Sequence, residues 1–115
     1  MIILSRTNSD NGDFISLVKL LDADLAIRDG EDHSFYSQFN KIETIRHVVV
    51  AYDSGTPVGC GAIKEFDTKA MEIKRMYVSP EARRKGIASA VLVELEKWAM
   101  EMRCFLRRHS RVVKK

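Results

Sequence analysis

The sequence predicts one domain of the mixed α/β class (α+β type), in which helices flank a mainly antiparallel sheet. A length of 115 residues fits one ordinary domain and leaves no room for a second. Hydrophobic residues make up 45% and charged residues 30%, which is the balance of a globular protein. Three consecutive β-rich runs separated by turn formers lie between two apolar patterns of helical spacing.

The N-terminal part of the chain predicts a strand followed by a helix. Ile2-Ile3-Leu4 is a short first strand, and the run "SDNGDFISLVKLLDADLAIRDG" has helical spacing. Asp10 or Asp13 would cap this helix, and Gly30 would end it in a left-handed conformation. The apolar stripe that would face the core consists of Phe14, Leu17, Val18, Leu21 and Leu25. The run "HSFYSQFN" favours a second, shorter helix.

The middle of the chain predicts a three-stranded meander. The runs "RHVVVAYD" and "PVGCGAIKEF" form a hairpin around the turn "SGTP", and "DTKA" turns the chain into "MEIKRMYVSP". Gly59 and Gly61 within the second strand indicate a bulge or a close approach by backbone or ligand, and a simple packing reason is an equal alternative. Pro80 ends the third strand.

The turn "RRKGIA" opens a second long helix. Ile87, Val91, Leu95, Trp98 and Met102 would line its buried face. A helix that begins at a glycine presents backbone N–H groups without helical partners, and these favour an anion. Residues 83–85 would add mobile positive charge at the rim. Taken alone, the turn fits a solvated charged loop equally well.

The order of elements resembles the GNAT superfamily of acyl-CoA N-acyltransferases. The segment "MEIKRMYVSPEARRKGIASAVLVELEKWA" is similar to that family's acyl-CoA motif, with Arg83, Gly86 and Ala88 at its three defining positions. The resemblance covers roughly residues 1–102. It implies an acetyl-CoA-dependent N-acetyltransferase whose acceptor is a small-molecule or peptide amine.

The resemblance also implies the site residues. Pyrophosphate would bind the turn and the first turn of the helix, and the pantetheine arm would extend along the end of the preceding strand. The implied residues that bind acyl-CoA are Met76, Tyr77, Val78, Arg83, Arg84, Lys85, Gly86, Ile87, Ala88 and Ser89. Glu72 stands where several family members have their general base, and we expect it to share strand parity with Lys74, Met76 and Val78. The alternative is a surface glutamate paired with Lys64 or Lys74.

The family pattern breaks after Met102. Members usually continue with further strands and often with a tyrosine that protonates the leaving thiolate, whereas this chain has "RCFLRRHSRVVKK" and no tyrosine after Tyr77. We therefore expect residues 1–102 to form the acyl-CoA-binding domain and residues 103–115 to form a basic tail with strand character. Transfer would be weak or absent in this short form, and a module that only binds CoA or dimerises is the alternative.

Self-association is a further expectation. An open sheet edge near residues 70–78 and 103–113 and a partly uncovered helix face would favour a homodimer. Residues 103–115 carry six of the 19 basic groups and no acidic one, so nucleic-acid binding through the tail is a third, weaker hypothesis.

Other classes of protein are disfavoured. No apolar run approaches the roughly 18 residues of a membrane-spanning helix, so we expect a cytoplasmic protein without membrane contact. The histidines and the two cysteines, Cys60 and Cys104, lack the spacing of metal ligands, so no metal site is expected and the cysteines are interpreted as packing residues.

Overall fold

The computed structural model describes residues 1–29 and 45–107, which form a five-stranded sheet with one α-helix on each face. The elements are β1 (Ile2–Thr7), α1 (Gly12–Asp29), β2 (His47–Asp53), β3 (Thr56–Asp67), β4 (Ala70–Val78), a 3₁₀ turn (Pro80–Ala82), α2 (Ile87–Glu101) and β5 (Phe105–Arg107). The strands lie in the order in which they occur in the chain, antiparallel except for the parallel pair β4 and β5. The predicted mixed α/β class and the meander are confirmed.

The sheet separates two apolar cores, one under α1 and one under α2. Successive residues of β2 alternate between them, so Val48 and Val50 face α1 whereas Val49 and Ala51 face α2, and all four are fully buried. Cys60 lies in the α1 core and Cys104 packs against the α2 core, in agreement with their interpretation as packing residues. Within residues 1–29 and 45–107, neither helix is both long and apolar enough to cross a membrane.

The start of α1 differs from the prediction. Asn11, not Asp10 or Asp13, caps the helix, because its Oδ1 accepts a hydrogen bond of 2.9 Å from the N–H of Phe14. Asp13 instead accepts a 2.7 Å hydrogen bond from the hydroxyl of Tyr52, which ties the first turn to β2.

The predicted apolar stripe of α1 is confirmed where its side chains are described. Phe14, Leu17 and Val18 are buried, and Leu21 packs against the same core. The side chain of Leu25, the predicted stop at Gly30 and the segment "HSFYSQFN" lie outside what the structure describes.

The two strand glycines have a packing role. The β2–β3 hairpin turns at Ser54 and Gly55, both with positive φ, and the following strand passes directly beneath α2. A Cβ at Gly59 would lie 3.0 Å from Cγ2 of Ile87 and 3.1 Å from the carbonyl oxygen of Tyr77. A Cβ at Gly61 would clash with Sδ of Met76 and would lie 2.9 Å from Cγ1 of Val91. Both interpretations are therefore confirmed, because α2 and β4 pack closely on these glycines and the pairing of β3 with its neighbouring strands is irregular at both of them.

The apolar face of α2 is covered, contrary to expectation. Ile87, Val91, Leu95 and Ala99 are all at most 2% exposed because they pack on the sheet, with Trp98 and Met102 beside them. The strand character predicted for the tail is confirmed at β5, which pairs with Ala70, Met71 and Glu72. The open sheet edge within the described residues is therefore narrower than predicted and begins after Glu72.

The chain passes from α2 to β5 through a left-handed arginine, at a position where helices commonly have a glycine. Arg103 has φ of 61°. Its N–H donates to the carbonyl of Met100 over 2.9 Å, and the N–H of Cys104 donates to the carbonyl of Ala99 over 2.9 Å. These two bonds are the Schellman pattern, which satisfies the last carbonyls of the helix and reverses the chain toward β4.

Replacing Arg103 with glycine is expected to stabilise the protein by about 1 kcal/mol, because a left-handed conformation is strained for a residue with a Cβ. Urea denaturation measures the free energy of unfolding. As a matched control, Lys97→Gly within the same helix should destabilise by about 1 kcal/mol. An unchanged or lower stability of Arg103→Gly would show that the arginine side chain itself supports the turn.

Candidate functional site

An open cavity of about 390 Å³ lies at the N-terminal end of α2. It is formed where the end of β4, the 3₁₀ turn and the first turn of α2 converge. Its walls are Val78, Ala82, Arg83, Arg84, Gly86, Ile87, Ala88 and Ser89. Seven of these eight residues were predicted from the sequence, and Ala82 was not.

The loop before α2 and the first turn of that helix line this cavity. Gly86 is the N-cap with φ of 78°, and no side chain caps the helix. A Cβ at Gly86 would meet nothing within 4 Å, so the glycine is required by its conformation and the space above it is open. The first N–H groups of a helix lack helical acceptors, and with the positive end of the helix dipole they attract anions.

The loop contains a second left-handed residue, Arg84, with φ of 68°. This conformation costs about 1–2 kcal/mol for a residue with a Cβ. Left-handed residues within a short turn bring successive N–H groups to one side, which produces a concave anion-binding surface. Such strain at a solvent-exposed loop is typical of functional sites.

Arg83 is held against the sheet, whereas the sequence suggested mobile charge at the rim. Its Nε donates to the carbonyl of Val78 over 2.9 Å, and its guanidinium lies 5.8 Å from the centre of the Tyr77 ring. Arg83 therefore connects the loop to the end of β4. Arg83, Arg84 and Lys85 are all exposed beside the cavity.

A β-bulge interrupts the pairing of β3 with β4 at Arg75. Cys60 pairs with Tyr77 and Ala62 with Lys74, so β4 has one more residue than β3 over the same stretch. Arg75 adopts the left-handed conformation, with φ of 56°. Because of this extra residue, each side chain after the bulge points to the opposite face of the sheet from the one it would have in a regular strand.

The predicted shared parity of Glu72, Met76 and Val78 is therefore wrong. Tyr77 packs in the α1 core, whereas Met76 and Val78 pack against the α2 core. Before the bulge, Ile73 packs toward α2. Neighbouring residues of a strand point to opposite faces, so Glu72 lies on the α1 face. The extra residue at Arg75 is the physical reason for the change.

The bulge is anchored to α1 by an ion pair that the sequence did not reveal. Arg75 Nη1 donates to Asp22 Oδ1 over 3.0 Å, with side chains that are 17% and 6% exposed. Burial raises the pKa of Asp22, and the charge of Arg75 opposes that rise. One signal was available, because Asp22 follows Val18 by four residues and so falls on the apolar stripe of α1. Nothing in the sequence marks Arg75.

The thiol of Cys60 also contacts the bulge. It donates to the carbonyl of Arg75 over 3.4 Å, and burial raises its pKa to about 12. The thiol thus stays protonated at neutral pH and is able to donate.

Glu72 lies on β4, away from the cavity walls. It is partly buried, and its Oε1 lies 3.7 Å from Nζ of Lys74. Lys64 of β3 and Arg107 of β5 stand opposite it in register. The pairing with Lys74 agrees with the surface-glutamate alternative.

The remaining predicted residues do not line the cavity. Met76 and Tyr77 are directed into the two cores, so only their main chain is available at the edge of the sheet. Lys85 is exposed beside the loop. In the described part of the chain, no group of three or more His, Cys, Asp or Glu side chains is arranged to hold a metal ion.

The fold and the uncapped helix start define a domain of the acyltransferase type, and comparison with known proteins identifies its family. The profile of the Acetyltransferase (GNAT) family matches residues 14–112. The chain belongs to this family.

Related proteins support the assignment. Over 42 residues the chain is 48% identical to the uncharacterized N-acetyltransferase YsnE of Bacillus subtilis (strain 168), a match that covers 36% of this chain and only 28% of that protein. The crystal structure of a Klebsiella pneumoniae protein inferred to be an acyl-CoA N-acyltransferase is 26% identical, with a TM-score of 0.72 over 94% of this chain and 70% of that one.

A more distant structure shows the same fold. N-acetylglutamate synthase from Neisseria gonorrhoeae, complexed with coenzyme A and N-acetyl-glutamate, is 17% identical with a TM-score of 0.63, over 90% of this chain and 24% of that one.

Proposed function

We propose that this chain binds acyl-CoA, in particular acetyl-CoA, and transfers the acyl group to an amine. The observation that carries the proposal is the uncapped, glycine-led start of α2, which opens into a cavity beside the end of β4. Membership of the acetyltransferase family supports the reaction class.

The pyrophosphate would bind the backbone N–H groups of residues 84–89. Gly86 admits a phosphate close to the backbone because no Cβ stands above it. Arg84 and Lys85 add positive charge, and the hydroxyl of Ser89, which is part of the cavity wall, would donate a further hydrogen bond.

The pantetheine arm would lie along the edge of β4 at residues 76–78. Among the described residues, β5 pairs with this edge only at residues 70–72, which leaves main-chain groups beyond that point for the amides of the arm. The side chains of Met76 and Tyr77 need only pack, because it is the backbone that would contact the ligand. A main-chain N–H near Val78 would polarise the thioester carbonyl.

The reaction requires the acceptor amine in its neutral, deprotonated form. The nitrogen lone pair attacks the thioester carbon, the C–S bond breaks, and CoA leaves as a thiolate that is then protonated. Most aliphatic amines are protonated near pH 7, so a base must take a proton before or during attack. We assign this role to Glu72, acting directly or through a water molecule.

The acceptor is proposed to be a small-molecule or peptide amine. Formation of a homodimer and a cytoplasmic location stay predictions from the sequence. The edge of β4 could not serve a partner strand and a pantetheine arm at the same time, so a dimer joined there would compete with CoA.

Gly86→Glu is expected to weaken CoA binding at least about tenfold, because it places a negative side chain where the pyrophosphate would lie. Calorimetry measures the affinity. Ser89→Glu tests the same repulsion without backbone strain, since Ser89 is an ordinary helical residue. Gly12→Glu is the matched control, because it adds the same charge at the exposed start of α1. Equal CoA affinity in wild type, Gly86→Glu and Ser89→Glu would place the ligand elsewhere.

Glu72→Gln is expected to lower the turnover number about a hundredfold or more while leaving CoA affinity unchanged, as loss of a general base does. Release of CoA thiol over a panel of polyamines, amino acids and lysine peptides measures the reaction. Glu65→Gln, an exposed change on the adjacent strand, should have wild-type activity. Undiminished turnover in Glu72→Gln would exclude Glu72 as the base, and CoA binding without turnover in the wild type would favour a binding module.

A further inference from the structure

We propose that the buried ion pair between Asp22 of α1 and Arg75 of β4 positions the backbone that would receive the pantetheine arm. This inference rests on the proposed function and adds two residues to it. Both are positioning residues, because their charged groups face each other between α1 and the sheet and are largely shielded from solvent.

The ion pair made by the Arg75 side chain holds the backbone of that residue in an unfavourable conformation. Its φ of 56° is left-handed, and such a conformation persists only where the surroundings impose it. Its guanidinium reaches Asp22 over 3.0 Å, and the Asp22 side chain is 6% exposed. A carboxylate buried to this degree requires a partner of opposite charge, so the pair draws Arg75 toward α1.

The backbone on either side of Arg75 is also held. Lys74 pairs with Ala62 before the bulge, and Tyr77 pairs with Cys60 after it. The carbonyl of Arg75 accepts a hydrogen bond from the Cys60 thiol. The side chain of Arg75 is thus the charged attachment that ties the bulge to α1.

The conformation of Arg75 sets the orientation of the residues that follow it. The extra residue turns Tyr77 into the α1 core and Met76 and Val78 toward α2. If Arg75 relaxed to an extended conformation, the N–H and C=O groups of residues 76–78 would change the direction in which they face the open edge. The ion pair would thereby control contact with pantetheine, whereas the N–H groups of the anion site belong to a separate segment, residues 84–89 of the loop and α2.

The test compares CoA with 3′-phospho-adenosine 5′-diphosphate, which is CoA without its pantetheine arm. Asp22→Asn keeps the shape of the side chain and removes its charge. We expect this variant to bind CoA about tenfold more weakly than wild type does, which corresponds to the loss of one or two hydrogen bonds. We expect it to bind the truncated ligand as tightly as wild type does. Asp13→Asn is the matched control, because it weakens the attachment of α1 to Tyr52 of β2 without touching the bulge.

A rescue variant separates positioning from general stability. Glycine adopts the left-handed conformation without strain, so Asp22→Asn combined with Arg75→Gly should recover wild-type CoA affinity without any ion pair. This double variant contains no unpaired buried charge, and it decides the matter alone if Asp22→Asn fails to fold.

The outcomes are distinct. Unchanged CoA affinity in Asp22→Asn, equal weakening of both ligands, or a double variant that folds but does not recover CoA affinity would each overturn the inference. If wild type binds neither ligand, the proposed function fails instead. If wild type binds the two ligands equally well, the arm makes no contact and the inference fails while the anion site stands.

Discussion

The left-handed conformation of Arg75 is the constraint on which the orientation of residues 76–78 at the edge of β4 depends. One extra residue in β4 exchanges the faces of the side chains that follow, so Tyr77 enters the α1 core and Val78 meets the start of α2. Val78 also lines the cavity, and its carbonyl accepts the hydrogen bond from Arg83 that joins the loop to β4. A regular strand would present the opposite faces to both helices.

The loop before α2 combines strain with exposure. Arg84 and Gly86 both have positive φ, and the helix they introduce has no side-chain cap. Packing elsewhere offsets this cost, because Ile87 is buried immediately after the loop and α2 lies on the two strand glycines, Gly59 and Gly61. Uncapped N–H groups held on a rigid helix are suited to bind an anion without reorganisation.

The sequence predicted the elements better than the irregularities between them. The meander and the cavity-lining loop followed from β-rich runs, turn formers and the glycine at position 86, each of which has a local physical cause. The parity of Glu72 was wrong because Gly61 indicated an irregularity on β3, whereas the extra residue is Arg75 on the facing strand, where the composition gives no sign of it. The sequence placed the end of this helix at Met102, but an arginine at position 103 gives no sign of the left-handed turn that follows.

Contacts between distant parts of the chain were also beyond sequence patterns. The partners Asp22 and Arg75 are 53 residues apart, and pairing them requires knowing that α1 crosses the bulge. The covering of α2 by the sheet, which removes one argument for dimerisation, likewise depends on the three-dimensional arrangement.

The most direct test of the central claim is an amide NMR titration of the isotopically labelled protein with CoA. The account predicts that the largest shifts occur at two separate segments, residues 84–89 and residues 76–78, and that 3′-phospho-adenosine 5′-diphosphate shifts only the first. Shifts confined to other strands, or an undisturbed segment 84–89 at saturating CoA, would contradict it.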